Sequence, residues 1–128
     1  MNYIRFINEQ GLITYLQTDG LVNIDISCNA GLCFINLSSF NKGNEAFLPI
    51  IFSLEFEDKS HNQILSETDY TRISNELKNK FILEFEKALK KGLTVININS
   101  ILDGLKSSIS LFARDMVVER LKELYRKH

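Results

Sequence analysis

Two cysteines five positions apart are the first candidates for chemistry. Cys28 and Cys33 enclose Asn-Ala-Gly-Leu in the stretch "SCNAGLCF" (residues 27–34), and the chain has no other cysteine. A structural zinc site takes four ligands, and the remaining candidates, His61 and His128, lie in a polar loop and at the chain end. A redox pair is usually Cys-x-x-Cys at a helix start. We therefore expect buried reduced thiols and no metal. A cross-strand disulfide is the alternative, and it requires an oxidising compartment.

An acidic cluster is the second candidate. Glu55 and Glu57 project from one face of a predicted strand, about 7 Å apart at a rise of roughly 3.3 Å per residue. His61 follows in the polar loop "DKSHNQ" (58–63). Paired carboxylates can perform acid–base chemistry or hold a cation. A solvated sheet edge explains these carboxylates better, so no catalytic residue is assigned. Glu55, Glu57 and His61 are kept as an alternative polar site.

The sequence contains no phosphate-binding glycine loop, nucleophile elbow or zinc-protease helix. Its net charge of −1 argues against non-specific nucleic-acid binding. The charge is uneven: residues 1–69 hold nine acids and three bases, and residues 70–128 hold seven acids and twelve bases. Basic helices are usually solvated faces, so this asymmetry assigns no partner. We predict no cofactor and favour a non-enzymatic protein.

Length and composition indicate a single domain over residues 1–128. With 128 residues and 45% apolar side chains, the chain can bury a core of its own. No apolar run approaches the roughly 20 residues that span a bilayer, so no membrane insertion is expected. The start "MNYIRFINEQ" shows no signal peptide. A cytoplasmic location is the default, and a different one applies if the chain is a domain excised from an exported lipoprotein.

Hairpin signals dominate the first half. Asp19-Gly20 suits a two-residue turn that pairs 11–17 with 21–28 and sets Tyr15 opposite Ile24. Ala30-Gly31 as a second turn sets Cys28 opposite Cys33 and keeps isoleucines and leucines on one face. A strand at 47–58 alternates apolar and polar residues, and Pro49 favours an edge position or strand entry. The stretch "NYIRFI" (2–7) adds a short strand, and 38–46 reads as a polar loop.

The second half reads as helix, strand and helix. Ser66 and Asp69 form a capping box that opens a helix running to about Lys91, and 93–98 is a strand. Ser100 and Asp103 form a second capping box for a helix from 101 to about 126. We predict an α+β fold: an antiparallel meander sheet with one apolar face covered by two long helices, in the order β-β-β-β-β-α-β-α.

Surplus apolar residues suggest a contact surface. The sheet face opposite the core is expected to carry Leu16, Leu32 and Phe34, together with Leu12, and the final helix has an apolar band wider than one sheet covers. Leu16, Leu32, Phe34, Met116 and Val117 are therefore the predicted interaction surface. They predict a homo-oligomer or a cognate protein partner. The alternative is a small enzyme or ligand-binding protein with a pocket between sheet and helices, using Glu55, Glu57, His61 and Tyr15 or Tyr70.

The order of elements resembles the C-terminal domain of the spore germinant-receptor C-subunit lipoproteins. The stretches that carry the likeness are "GLITYL", "VNIDISC", "LCFINLS", "PIIFSLEFED", "ISNELKNKFILEFEKALKKG" and "LTVININSIL", within residues 11–105. In that family a run of strands leads into a helix rich in Lys and Glu, then a short strand and further helices. The final segment departs from the family because it has no tryptophan-rich stretch. The resemblance implies a bacterial, non-catalytic subunit domain and supplies no site residues.

Overall fold

A computed structural model describes residues 2–18, 21–41 and 43–126. The α+β class and the predicted order of five strands, helix, strand and helix are confirmed. The first five strands pair antiparallel, as predicted, and they are distributed over two three-stranded sheets of order β2-β1-β6 and β3-β4-β5. The elements are β1 Asn2–Ile7, β2 Ile13–Thr18, β3 Val22–Asn29, β4 Leu32–Asn41, β5 Asn44–Ser53, α1 Glu67–Lys90, β6 Val95–Asn97 and α2 Ile98–Arg126.

The β3–β4 hairpin has the predicted register. Cys28 lies opposite Cys33, and the same register continues through Ile26 opposite Ile35. The turn residues Ala30 and Gly31 have φ values of 50° and 82°. Both central residues of a type I′ turn need such positive φ values, and this turn matches the twist of the strands that it joins. The hairpin between β4 and β5 is longer than predicted, because both strands extend into the expected polar loop 38–46.

The predicted pairing of 11–17 with 21–28 is wrong for the described residues. β2 instead pairs with β1, which sets Leu16 opposite Ile4 and Tyr15 opposite Arg5. Side chains alternate across a strand, so this partner determines which face of β2 enters the core. Leu16 is buried, whereas Tyr15 is exposed. The proposed turn residues Asp19 and Gly20 lie outside the described residues.

β1 is the central strand of its sheet because β6 pairs with it in parallel on the other side. The first turn of α2 is also hydrogen-bonded to β1. The Asn99 side chain accepts a hydrogen bond from the Ile7 N–H and donates one to the Ile7 C=O, both at 2.8 Å. Helix α2 starts at Ile98, directly after β6, and Ile98 is fully buried. The predicted capping box at Ser100 and Asp103 therefore lies inside the helix.

Both helices pack against the sheets. α1 begins at the predicted capping box, in which Ser66 and Asp69 exchange side-chain-to-backbone hydrogen bonds. It packs against β3 and α2, so its apolar stripe is covered on two sides. Among the described residues, neither helix has the length and hydropathy that crossing a membrane requires.

A buried ion pair joins the start of α1 to the end of α2. The Asp69 carboxylate is fully buried and accepts two hydrogen bonds from Arg120, from Nη2 at 2.7 Å and Nε at 2.9 Å. The Arg120 guanidinium, together with the Ser66 N–H, holds the pKa of Asp69 well below its usual range. Arg120 also contacts the more exposed Glu123 at 2.9 Å. The bidentate geometry compensates the cost of burying the carboxylate.

Replacing Asp69 with Asn should lower the free energy of unfolding at pH 7 by about 2 kcal/mol, since charged hydrogen bonds are lost in a buried site. Because folding depresses the pKa of Asp69, its contribution is complete above the unfolded pKa near 4 and declines as the pH falls further. The difference between wild type and Asp69→Asn should therefore narrow below about pH 4. Urea denaturation of both proteins across a pH series measures this difference in the free energy of unfolding.

Glu123→Gln is the matched control because it removes the exposed partner of the same arginine. Its effect should stay below about 0.5 kcal/mol. Equal losses for Asp69→Asn and Glu123→Gln would contradict the assignment of the ion pair to the buried carboxylate.

Candidate functional site

The surface of the β3–β4–β5 sheet that points away from the core carries an unusual set of side chains. We call it the outer face. Four of its residues are large, apolar and exposed: Phe34 at 45%, Phe40 at 68%, Phe47 at 56% and Ile51 at 65%. The full set of outward positions is Asn23, Asp25, Ser27, Asn29, Leu32, Phe34, Asn36, Ser38, Phe40, Glu45, Phe47, Pro49, Ile51 and Ser53.

Charge is scarce on the outer face. Only Asp25 and Glu45 are charged among its outward residues, and neither lies on the central strand β4. Protein surfaces usually mix lysine, arginine, glutamate and aspartate throughout. Aromatic enrichment with few charges is typical of the centre of a protein–protein interface.

The structure separates the five predicted contact residues. Phe34 is exposed on the outer face, and Leu32 is half-buried beside it. Leu16, Met116 and Val117 are at most 4% exposed, so the prediction that they form a surface was wrong. Leu16 faces inward because β2 pairs with β1. Met116 and Val117 are buried because α1 packs along α2 and covers the band that one sheet alone would leave open.

The alternative polar residues do not form a site together. Glu55 is exposed and pairs with Lys106, whose Nζ lies 3.2 Å from Oε1. Glu57 is exposed, and His61 lies in a short 3-10 turn at Lys59–Gln63. Within the described ranges, no hydrogen bond or ion pair joins these three residues, and no group of three or more His, Cys, Asp or Glu side chains is placed to hold a metal ion. His128 lies outside those ranges.

Cys28 and Cys33 form a disulfide bridge, so the expectation of reduced thiols was wrong. Their register explains the proximity. The Cys28 N–H points away from β4 and donates to Ser74 Oγ at 2.8 Å, so the two cysteines occupy a non-hydrogen-bonded pair of the ladder. Side chains approach most closely at such pairs.

A polar cleft of about 660 Å³ lies beside the bridge, between β3 and the first turns of α1. Tyr70 lines this cleft, and its hydroxyl joins two loops: it donates to the Asn62 C=O at 2.5 Å and accepts from the Gly31 N–H at 3.0 Å. Burial raises the pKa of Tyr70. The polar side chains of its walls are Ser27, Asn29, Asn62, Gln63, Glu67, Thr71 and Asn75, and apolar residues such as Ile26 and Leu65 complete the lining. The sequence indicates Tyr70 as a polar group of the alternative pocket between sheet and helices, but it carries no signal for the contact of Ser74.

Comparisons with protein-family models, with curated proteins and with solved structures each found no match to this chain.

The Cys28–Cys33 bridge can be tested by its mass and by its effect on stability. The intact mass under denaturing conditions should be about 2 Da lower before reduction than after it, because bridge formation removes two hydrogens. Reduction should lower the free energy of unfolding by about 2 kcal/mol, since the bridge closes only a short loop. Mass spectrometry and urea denaturation measure the two effects.

The double variant Cys28→Ala/Cys33→Ala serves as the control. Its stability should not respond to the reductant, because it has no bridge to lose. A wild-type mass that does not change on reduction would contradict the bridge.

Proposed function

We propose that this protein is a non-catalytic protein-interaction or assembly domain that binds its partner through the outer face. The observation that carries the proposal is the exposure of Phe34, Phe47 and Ile51 on adjacent strands, on a face with almost no charge. Exposed apolar patches of several hundred Å² on a soluble domain usually mark an interaction site, because exposing them to water is unfavourable.

The arrangement of these side chains supports a contact role. Phe34 lies directly opposite Ile51, and Phe47 lies opposite Ser38 two pairs further along. Their backbone positions belong to a paired sheet, so they present a rigid surface that loses little entropy on binding. Buried aromatic anchors on rigid elements supply most of the energy at interfaces.

Within this class we propose a germinant-receptor-like subunit domain or an immunity- or inhibitor-type protein. The support is the resemblance in element order together with a surface suited to a protein partner. Disulfides persist mainly in oxidising compartments. The Cys28–Cys33 bridge therefore favours the exported location that the germinant-receptor resemblance implies over the cytoplasmic default.

The test of the proposal uses Phe34→Glu, which places a carboxylate in the centre of the outer face. Proteins that co-purify with the tagged wild-type chain from its own cells should be lost with Phe34→Glu. Where the partner is recovered, its affinity should fall at least about tenfold. The circular dichroism spectrum should be unchanged, because the side chain is already 45% exposed.

Leu83→Glu is the matched control: Leu83 is 57% exposed and lies on α1, away from the outer face. It should retain every partner of the wild type. Partners that survive Phe34→Glu, or that Leu83→Glu removes equally, would refute the outer face as the binding surface.

A second candidate function is small-ligand binding in the polar cleft between β3 and α1. The observation that favours it is the concentration of side-chain amides and hydroxyls around one carboxylate, Glu67. Such groups suit a neutral or cationic ligand rich in hydrogen-bonding groups.

Native mass spectrometry of the purified protein tests this candidate. A bound small molecule should be lost when Asn75→Leu removes one amide from the cleft wall, whereas Asn23→Leu, on the outer face, should retain it. Absence of bound mass in the wild type, or retention of that mass by Asn75→Leu, would count against the cleft.

A further inference from the structure

We propose that the partner of the outer face is a second copy of this chain, packed sheet face to sheet face about a two-fold axis. The inference rests on the proposed function and specifies its partner. Four features of the described residues support it: the relief of the face, its area, its charges and the state of the sheet edges.

The relief of the outer face is self-complementary. Phe34 and Ile51 form a pair of large side chains across β4 and β5, here called the raised pair, and the next outward pair, Asn36 and Pro49, has smaller side chains. A depression of about 410 Å³ lies between these two pairs, lined on the surface by these four residues and by Asp25 and Ser27. A knob and a hollow therefore lie side by side on one surface. A two-fold axis between them would seat the raised pair of each copy in the hollow of the other, as isologous interfaces require.

The area is sufficient for a specific dimer. Phe34, Phe40 and Phe47 expose 45%, 68% and 56% of their surfaces, which amounts to about 340 Å² if a whole phenylalanine contributes roughly 200 Å². Ile51, Pro49 and Leu32 bring the apolar area to about 500 Å² per copy. Complete coverage of this area in both copies would bury about 1,000 Å² of apolar surface, the lower bound for a specific interface, before the surrounding amides and hydroxyls are counted.

The charges favour a protein surface over a lipid surface. Among the described outward residues of the outer face there is no lysine or arginine to attract anionic lipid headgroups. The two acids of this face differ in position: Asp25, on the edge strand β3, lines the hollow, and Glu45 is near the end of the β4–β5 hairpin. A two-fold contact centred between the raised pair and the hollow leaves Glu45 at the rim, where water still solvates it, and places Asp25 beside the raised pair of the other copy.

The edge of β5 is protected against strand addition. The Leu54 N–H donates to the Gly31 C=O at 2.9 Å, and Phe52 lies opposite Cys33 in the same register. Because hydrogen-bonded pairs alternate, the even-numbered residues of β5 bond to β4 and the odd-numbered ones direct their backbone groups to the free edge. Pro49 is among the latter and has no N–H, so it interrupts that edge in the middle.

The edge of β3 is covered as well. α1 packs along it, and Ser74 accepts the hydrogen bond that the Cys28 N–H would otherwise offer to a neighbouring strand. With both edges of the β3–β4–β5 sheet blocked in this way, the sheet face is the surface of this sheet that remains for association. The dimer is therefore formed by side chains packing between two sheets, about 10 Å apart.

Sedimentation equilibrium of the full chain from about 1 to 500 µM tests the proposal. The wild type should form a dimer, and Phe34→Glu and Ile51→Glu should each raise its dissociation constant at least about tenfold. Leu83→Glu should leave that constant unchanged. Ile51→Glu, at a site 65% exposed, keeps the test valid if Phe34→Glu perturbs folding.

A charge-exchange experiment tests the two-fold geometry. A mixture of Phe34→Glu and Phe34→Lys should dimerise more tightly than either variant alone, because the axis brings the two positions close together. A dimer that is insensitive to both outer-face variants, or a mixture that dimerises no more tightly than either variant alone, would overturn the proposal.

The remaining outcomes separate this inference from the broader proposed function. A wild type that stays monomeric to 500 µM while another protein binds it in a Phe34-dependent manner overturns the second copy and leaves the interaction function standing. Co-sedimentation with phosphatidylcholine vesicles that Phe34→Glu abolishes would assign the face to a membrane and overturn both.

Discussion

The first two turns of α1 supply the polar contacts on which the packing of the whole domain depends. Four residues there each bind a different part of the molecule. Ser66 caps the helix, Asp69 binds Arg120 near the end of α2, Tyr70 holds the β3–β4 turn and the 3-10 turn, and Ser74 binds the Cys28 N–H. Apolar packing alone is non-directional. These hydrogen bonds fix where the helix lies along the sheet, and the sheet in turn presents its outer face away from the core.

Patterns that involve neighbouring residues could be read from the sequence. The register of the β3–β4 hairpin follows from a two-residue turn and from the need to keep Ile26 opposite Ile35. The capping box at Ser66 is likewise a local arrangement. Phe34 could be assigned to the outer face because the alternation of β4 determines which side chains leave the core.

Choices between distant partners could not be read in the same way. β2 alternates equally well against β1 and β3, and choosing β1 moved Leu16 into the core and Tyr15 out of it. Met116 and Val117 looked uncovered because the sequence does not reveal that α1 lies along α2. The cysteines could be placed opposite each other, but the redox state of a thiol pair depends on its surroundings and carries no local pattern. Residues of β3, the 3-10 turn and α1 line the polar cleft, so no single segment of the sequence predicts it.

The central position of β1 has a consequence for the order in which the protein is made. β1 leaves the ribosome before the other strands of this domain, yet its partner Val95 lies 92 positions after Tyr3. The β3–β4–β5 meander, in contrast, is complete once residue 53 has emerged. During synthesis the meander can therefore form early and expose its apolar outer face on the nascent chain, before β6 has emerged to pair with β1. If the outer face binds a second copy as proposed, neighbouring ribosomes on one messenger would bring such early meanders together before either chain is finished.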